Sequence, residues 1–175
     1  MTYLLSEIIK LVINNKPFTE IRFGIHGRAH ASRVLLFSNL LANTLNYNTK
    51  LDLTAISISA LLHDCGRLSD GSDVYHGTNS AKKAIKFIET HNIVCNKDLI
   101  YICIESHCPP PGYNKIERPL EAKIVGDADK LDRFRFLSQK IPCNSELLEL
   151  EESNLFMDLA ARVNGHSWRS FKKGL

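Results

Sequence analysis

The chain lacks the marks of several protein classes. Its five cysteines, Cys65, Cys95, Cys103, Cys108 and Cys143, are odd in number and include no C-x-x-C pair. A disulfide framework or a thiolate zinc site is therefore not expected, and buried free thiols in a reducing cytoplasm are. No stretch approaches about eighteen uninterrupted apolar residues, so no segment is expected to span a membrane. The opening "MTYLLSEIIKLVINNK" carries Glu7 and Lys10 inside its apolar pattern and has no basic start, unlike a secretory leader. Net charge is only +3, which by itself does not argue for nucleic acid. Arg162, His166, Arg169, Lys172 and Lys173 make the C-terminal end locally basic, and this reads as a solvated helix end and tail. Strand patterns are weak, and internal repeats, low-complexity tracts and linkers are missing.

What the chain does have is helical periodicity, in 175 residues of which 44% are apolar. That suffices for one domain with a sizeable core. Leu4, Ile8, Leu11 and Val12 form a stripe that predicts a helix over about 2–14, stopped by Pro17. A second helix is expected from Arg28 to about Asn46, with Val34, Leu35, Leu41 and Leu45 inward. "LDLTAISISALLHD" is apolar nearly all round, so a helix over about 52–64 should lie at the centre of a bundle, with Gly66 just past its end. Further helices are expected from Thr78 or Asn79 to about His91, over 97–107, from Pro119 to about Phe134 and over 145–163. "CPPPGYN" between two of them reads as a rigid turn. The expected fold is all-α: one helical domain over 1–175, with a motif-bearing core over about 24–134 and a C-terminal helix and tail over about 145–175.

The ionisable residues sit in unexpected places. Helix 52–64 ends in His63-Asp64, where the helix dipole disfavours a carboxylate and burial would make matters worse. A divalent cation compensates, and imidazole and carboxylate are ordinary ligands for one. Four other stretches also combine apolar flanks with nitrogen or oxygen donors. They carry His26 with His30, then His76, then His107 at the end of an apolar helix, then Asp127, Asp129 and Asp132 around Lys130.

The order His30, His63-Asp64, Asp129, within "HGRAHASRV", "LLHDCGRLSDGSDVYHG" and "DADKLDRF", resembles the signature of the HD-domain superfamily of metal-dependent phosphohydrolases. The resemblance spans about residues 24–134. It implies a helical bundle of the HD/phosphodiesterase type, in which separate helices supply the ligands of a divalent metal: Mn, Fe, Co, Ni, Zn or Mg. By that likeness His30, His63, Asp64 and Asp129 are metal ligands, with Asp127 the alternative to Asp129. Relatives with two metals add two histidines, and His76 and His107 occupy that order with Asp64 bridging. Two ions are favoured over one.

The resemblance also implies attack of a metal-activated water on a small phosphate ester, a nucleotide among the candidates. Asp64, Arg67 and Lys130 are the expected catalytic residues. Arg67, Lys130 and His26 are the expected substrate contacts, although Arg67 also reads as a surface arginine and His26 as a structural histidine. Asp70 reads as part of a turn, and Asp73 equally as a turn residue or a support for a ligand. The chain has neither the GYP signature of the cyclic-di-GMP phosphodiesterase branch nor the extra segments of the dNTP triphosphohydrolases. The substrate and the oligomeric state stay open. Two alternatives stand beside the hydrolase: a di-iron oxygenase using the same six ligands, and a non-catalytic nucleotide sensor.

Overall fold

The structure, a computed structural model, describes residues 5–15, 25–45, 50–109, 117–139 and 143–164. These form seven α-helices: α1 (Leu5–Asn15), α2 (Arg28–Leu45), α3 (Leu53–Leu62), α4 (His76–Thr90), α5 (Lys97–His107), α6 (Leu120–Leu131) and α7 (Met157–Val163). Three 3₁₀ segments, Asp132–Gln139, Ser145–Leu147 and Glu151–Phe156, lie between α6 and α7. Among the described residues there is no strand.

The all-round apolarity of α3 has a direct structural reason. The helix lies between two apolar layers. Ile56 and Ala60 face one, with Val34, Phe37, Leu41, Ile124, Leu131 and Phe134. Ile58, Leu61 and Leu62 face the other, with Ile8, Val12, Ile88, Ile100 and Ile104. Every residue from Ala55 to Leu62 is buried. Asp52 starts the helix by accepting the amide of Ala55 at 2.9 Å, a normal N-cap. Its C-terminal end, and therefore His63 and Asp64, is delivered to the interior.

Two glycines set how closely the neighbouring elements approach. A Cβ on Gly66 would stand 2.4 Å from the Ser80 amide nitrogen, so the turn after α3 rests directly on α4. Gly66 is thus a close-packing residue; it does not adopt the left-handed conformation expected of a residue closing a helix. A Cβ on Gly77 would stand 2.7 Å from the carbonyl oxygens of both Glu105 and Cys108. This lets the start of α4 meet the end of α5, and it brings His76 to His107.

The helix boundaries differ from expectation in three places. Helix α4 starts at His76, ahead of Thr78, with Tyr75 in the capping position and no side-chain cap. Helix α6 stops at Leu131 and tightens into 3₁₀ geometry. The helix expected over 145–163 is broken by Leu148 and Leu150, both extended. The buried carboxylate of Asp127 accepts the amides of Glu149 and Leu150 and the hydroxyl of Ser153, each at 2.8–3.0 Å. Those amides are therefore diverted from a continuous helix. Leu4, Pro17, most of "CPPPGYN" and the basic positions from His166 onward lie outside the described residues.

Candidate metal centre

Four histidines converge at the inner ends of α2, α3, α4 and α5. Each one's Nδ1 faces an acceptor. His30 Nδ1 donates to Asp132 Oδ2 at 2.7 Å, His63 Nδ1 to the carbonyl of Ala60 at 2.9 Å and His107 Nδ1 to that of Ile104 at 2.5 Å. His76 Nδ1 donates to the carbonyl of Asp73. Carbonyl and carboxylate oxygens only accept, so the proton of each neutral ring is on Nδ1 and each Nε2 presents a lone pair. Those lone pairs face one another: His30 Nε2 is 2.9 Å from His63 Nε2, and His76 Nε2 is 3.0 Å from His107 Nε2.

The carboxylates complete two donor sets. Asp64 Oδ2 lies 3.4 Å from His30 Nε2 and 3.5 Å from His63 Nε2. Asp129 Oδ1 lies 3.2 and 3.8 Å from the same two nitrogens. The other oxygen of Asp64, Oδ1, lies 3.4 Å from His76 Nε2 and 3.6 Å from His107 Nε2. Two donors at right angles on one ion, with bonds of about 2.1 Å, stand about 3 Å apart. Both sets have this spacing. Ring nitrogens aimed at each other and at carboxylates need positive charge between them, either protons on the rings or a divalent cation, and a cation with nitrogen and oxygen ligands fits.

The family model described as HD domain matches residues 28–133. The chain belongs to the HD-domain family. Searches of the curated proteins and of the solved structures gave no match. Three buried or half-buried His/Asp groups of this HD domain could hold metal: His26, His30 and Asp64; His30, His63 and Asp129; and His63, Asp64 and His107. Asp64 also presents one oxygen to His30 and His63 and the other to His76 and His107.

Behind the donors stands a set of supporting contacts, which follow from residues outside the HD motif. Asp132 is fully buried. Besides His30 it accepts from Arg33 Nε at 2.6 Å, Arg135 Nη1 at 3.3 Å and Asn164 Nδ2 at 3.2 Å. A carboxylate behind a ligating histidine fixes its tautomer and orientation. Sequence reasoning noticed Asp132 only as one of three nearby aspartates. Its place three residues after Asp129, on the same helical face, was the available signal. Asp127, the alternative ligand, turns the other way, into its contacts with Glu149, Leu150 and Ser153.

His26 Nδ1 hydrogen-bonds Asp64 Oδ2 at 2.8 Å, so it touches the bridging carboxylate. Asp70 lies in the bent loop over 68–71, and its carboxylate also ties that loop to another segment by accepting the amides of Ile25 and His26, each at 3.3 Å. Asp73 supports His76 through its backbone carbonyl, while its side chain accepts the Tyr75 amide at 3.0 Å. Arg67 is buried, against the surface-arginine expectation. Its Nε donates to Asp64 Oδ1 at 3.0 Å and its Nη2 to His76 Nε2 at 3.2 Å. Lys130 points to neither donor set. Its ammonium donates to Asp127 at 3.1 Å and to Glu149 at 3.0 Å.

The protonation pattern follows this geometry. Burial pushes the His30 imidazole down, but hydrogen bonds to Asp129, Asp132 and Asp64 outweigh it and raise the group to about 10. A proton on His30 is thus the positive charge of the first donor set without metal. In the second, Arg67 shares that part with His107, which burial lowers but the hydrogen bond and charge of Asp64 raise overall. Burial and the neighbouring His107 lower His76 to about 4, and burial lowers His63. Burial would raise Asp64 and Asp129, but the surrounding imidazoles hold both below the ordinary carboxylate value.

Proposed function

We propose that this HD domain is a metal-dependent phosphohydrolase acting on a small phosphate ester, with two divalent ions per chain bridged by Asp64. One observation carries the reading: four Nε2 atoms converge on the two oxygens of Asp64, with Asp129 completing the first set. His30, His63, Asp64 and Asp129 would hold one ion, and Asp64, His76 and His107 the other. Ions bound there would lower the pKa of water and stabilise charge on phosphoryl oxygens.

The remaining roles belong to the chain's own groups. Arg67 presents a guanidinium beside Asp64 Oδ1, where it suits an equatorial phosphoryl oxygen. His26 and Asp132 hold Asp64 and His30 in orientation. Asp129 has the most exposed donor side chain, at 25% against 7% or less for the other five. Substrate therefore approaches from the Asp129 side.

The test is metal analysis of the purified protein, then a phosphate-release screen across nucleotides, cyclic nucleotides and sugar phosphates. Turnover with manganese is expected. Bound metal with no release from any phosphate ester would overturn the reading. The six assembled donors equally suit the di-iron oxygenase alternative, which requires iron and O₂; hydrolysis persisting anaerobically with manganese would exclude it.

A further inference from the structure

Beside the second donor set, reaching His107, lies a cavity of about 550 Å³. Its lining includes the ligand candidate His107 together with Arg118, Lys123, Lys130 and Glu149. Glu117 and Glu146 line it too, but two of the cations, Arg118 and Lys130, meet on the Glu149 carboxylate. Glu149 Oε1 accepts from Lys130 Nζ at 3.0 Å and from Arg118 Nη2. Each cation also has an anchor of its own. Arg118 Nη1 donates to the carbonyl of Ser106 at 2.7 Å, and Lys130 to Asp127 at 3.1 Å. Both therefore stay in place if Glu149 leaves. The Glu149 backbone amide donates to Asp127 at 2.9 Å, and among the described residues its side chain is held by Arg118 and Lys130 alone. Its side chain is 37% exposed, so water reaches the carboxylate and can replace the two cations as its partner.

We propose that Arg118 and Lys130 form a seat for a second anionic group of the substrate, and that the Glu149 carboxylate fills this seat until substrate displaces it. The identity of the reacting group rests on the phosphohydrolase reading; the anion seat does not. The substrate class is a phosphate ester carrying a further phosphate or carboxylate, such as a nucleoside or sugar bisphosphate. One phosphoryl group reaches the donor sets while the second anion lies between Arg118 and Lys130, in a cavity that Lys123 also lines. A partly exposed carboxylate pair is a weak occupant. A phosphate dianion offers more oxygens and more charge to the same donors.

Two measurements test the seat. The first is calorimetric titration of the chelator-treated protein with inorganic phosphate. E149Q should bind about fivefold more tightly than wild type, the factor expected from losing two weak, partly exposed pairs, and R118Q should lose binding. Circular dichroism establishes that each variant is folded, and K130Q replaces R118Q if the latter is not. Equal phosphate affinity across wild type, E149Q and the cation variant would overturn the proposal. The second compares kcat/KM for nucleoside 3′,5′-bisphosphate and 5′-monophosphate with manganese bound. The ratio should rise in E149Q and fall in the cation variant. Turnover of both substrates with a ratio that neither variant moves would remove the seat and leave the phosphohydrolase reading standing. Phosphate binding as expected with no turnover at all would remove that reading and leave the seat.

Discussion

Asp64 presents its two oxygens to two different groups of imidazoles, Oδ2 to His30 and His63 and Oδ1 to His76 and His107. Asp64→Ala should therefore abolish binding of both ions, whereas His76→Ala should remove one. Elemental analysis distinguishes these outcomes, and unchanged content in His76→Ala would favour a single ion. Asp132 acts through His30. Asp132→Asn should weaken metal binding by about 10–100-fold, the usual cost of losing a ligand's supporting partner, while the protein still folds. The histidines and aspartates of the centre were legible in the sequence because ligand chemistry resides in residue type and order. The tie from Asp132 to His30, 102 positions apart, was not, because no local pattern encodes which carboxylate lies behind which ring. Arg67 was ambiguous for a related reason: a guanidinium looks the same in sequence whether it is in solvent or against a ligand.

The helices place the donors, and small residues decide how closely. Gly77→Ala would drive a Cβ to within 2.7 Å of two carbonyl oxygens. Helices α4 and α5 would have to part, at a cost of about 1–3 kcal/mol, taking His76 from His107. Thermal melts should fall, and metal content should drop toward that of His76→Ala. Asp127 belongs to a different part of the fold. Asp127→Ala strands the amides of Glu149 and Leu150 and the Ser153 hydroxyl, and removes one acceptor of Lys130. Losing charge-assisted bonds of this kind costs about 3 kcal/mol, yet both donor sets stay intact; full metal occupancy in a destabilised protein is the expected result. At this scale α2, α3 and α5 were readable from periodicity to within about two residues. The break between 145 and 163 was not, because a tertiary contact from Asp127 overrides a helical pattern that is sound in itself.

For the whole molecule, the buried ionisable cluster ties stability to pH and to metal. His76, lowered to about 4 from 6.5, stays neutral in the fold where the unfolded chain would take a proton. The unfolded state binds more protons in that window, so metal-free protein should lose stability as pH falls from about 6.5 to about 4. Asp64, Asp129 and Asp132, all held low, extend the loss further into acid. His30 has the opposite sign. Raised to about 10, it contributes stability that is full below about 6.5 and is lost as pH rises through about 10. Metal must displace the His30 proton, so binding should tighten about tenfold per unit from about pH 7 to about pH 9, with proton release. Denaturant melts with and without chelator across this range check both limbs.

The central claim is that donors from four helices and the Asp129 segment meet to hold two ions through one aspartate. Elemental analysis after equilibration with manganese tests it most directly, on wild type, His76→Ala and Asp64→Ala side by side. Two ions, one and none per chain are the predicted values. Wild-type protein that retains no metal, or Asp64→Ala that retains the wild-type amount, would contradict it.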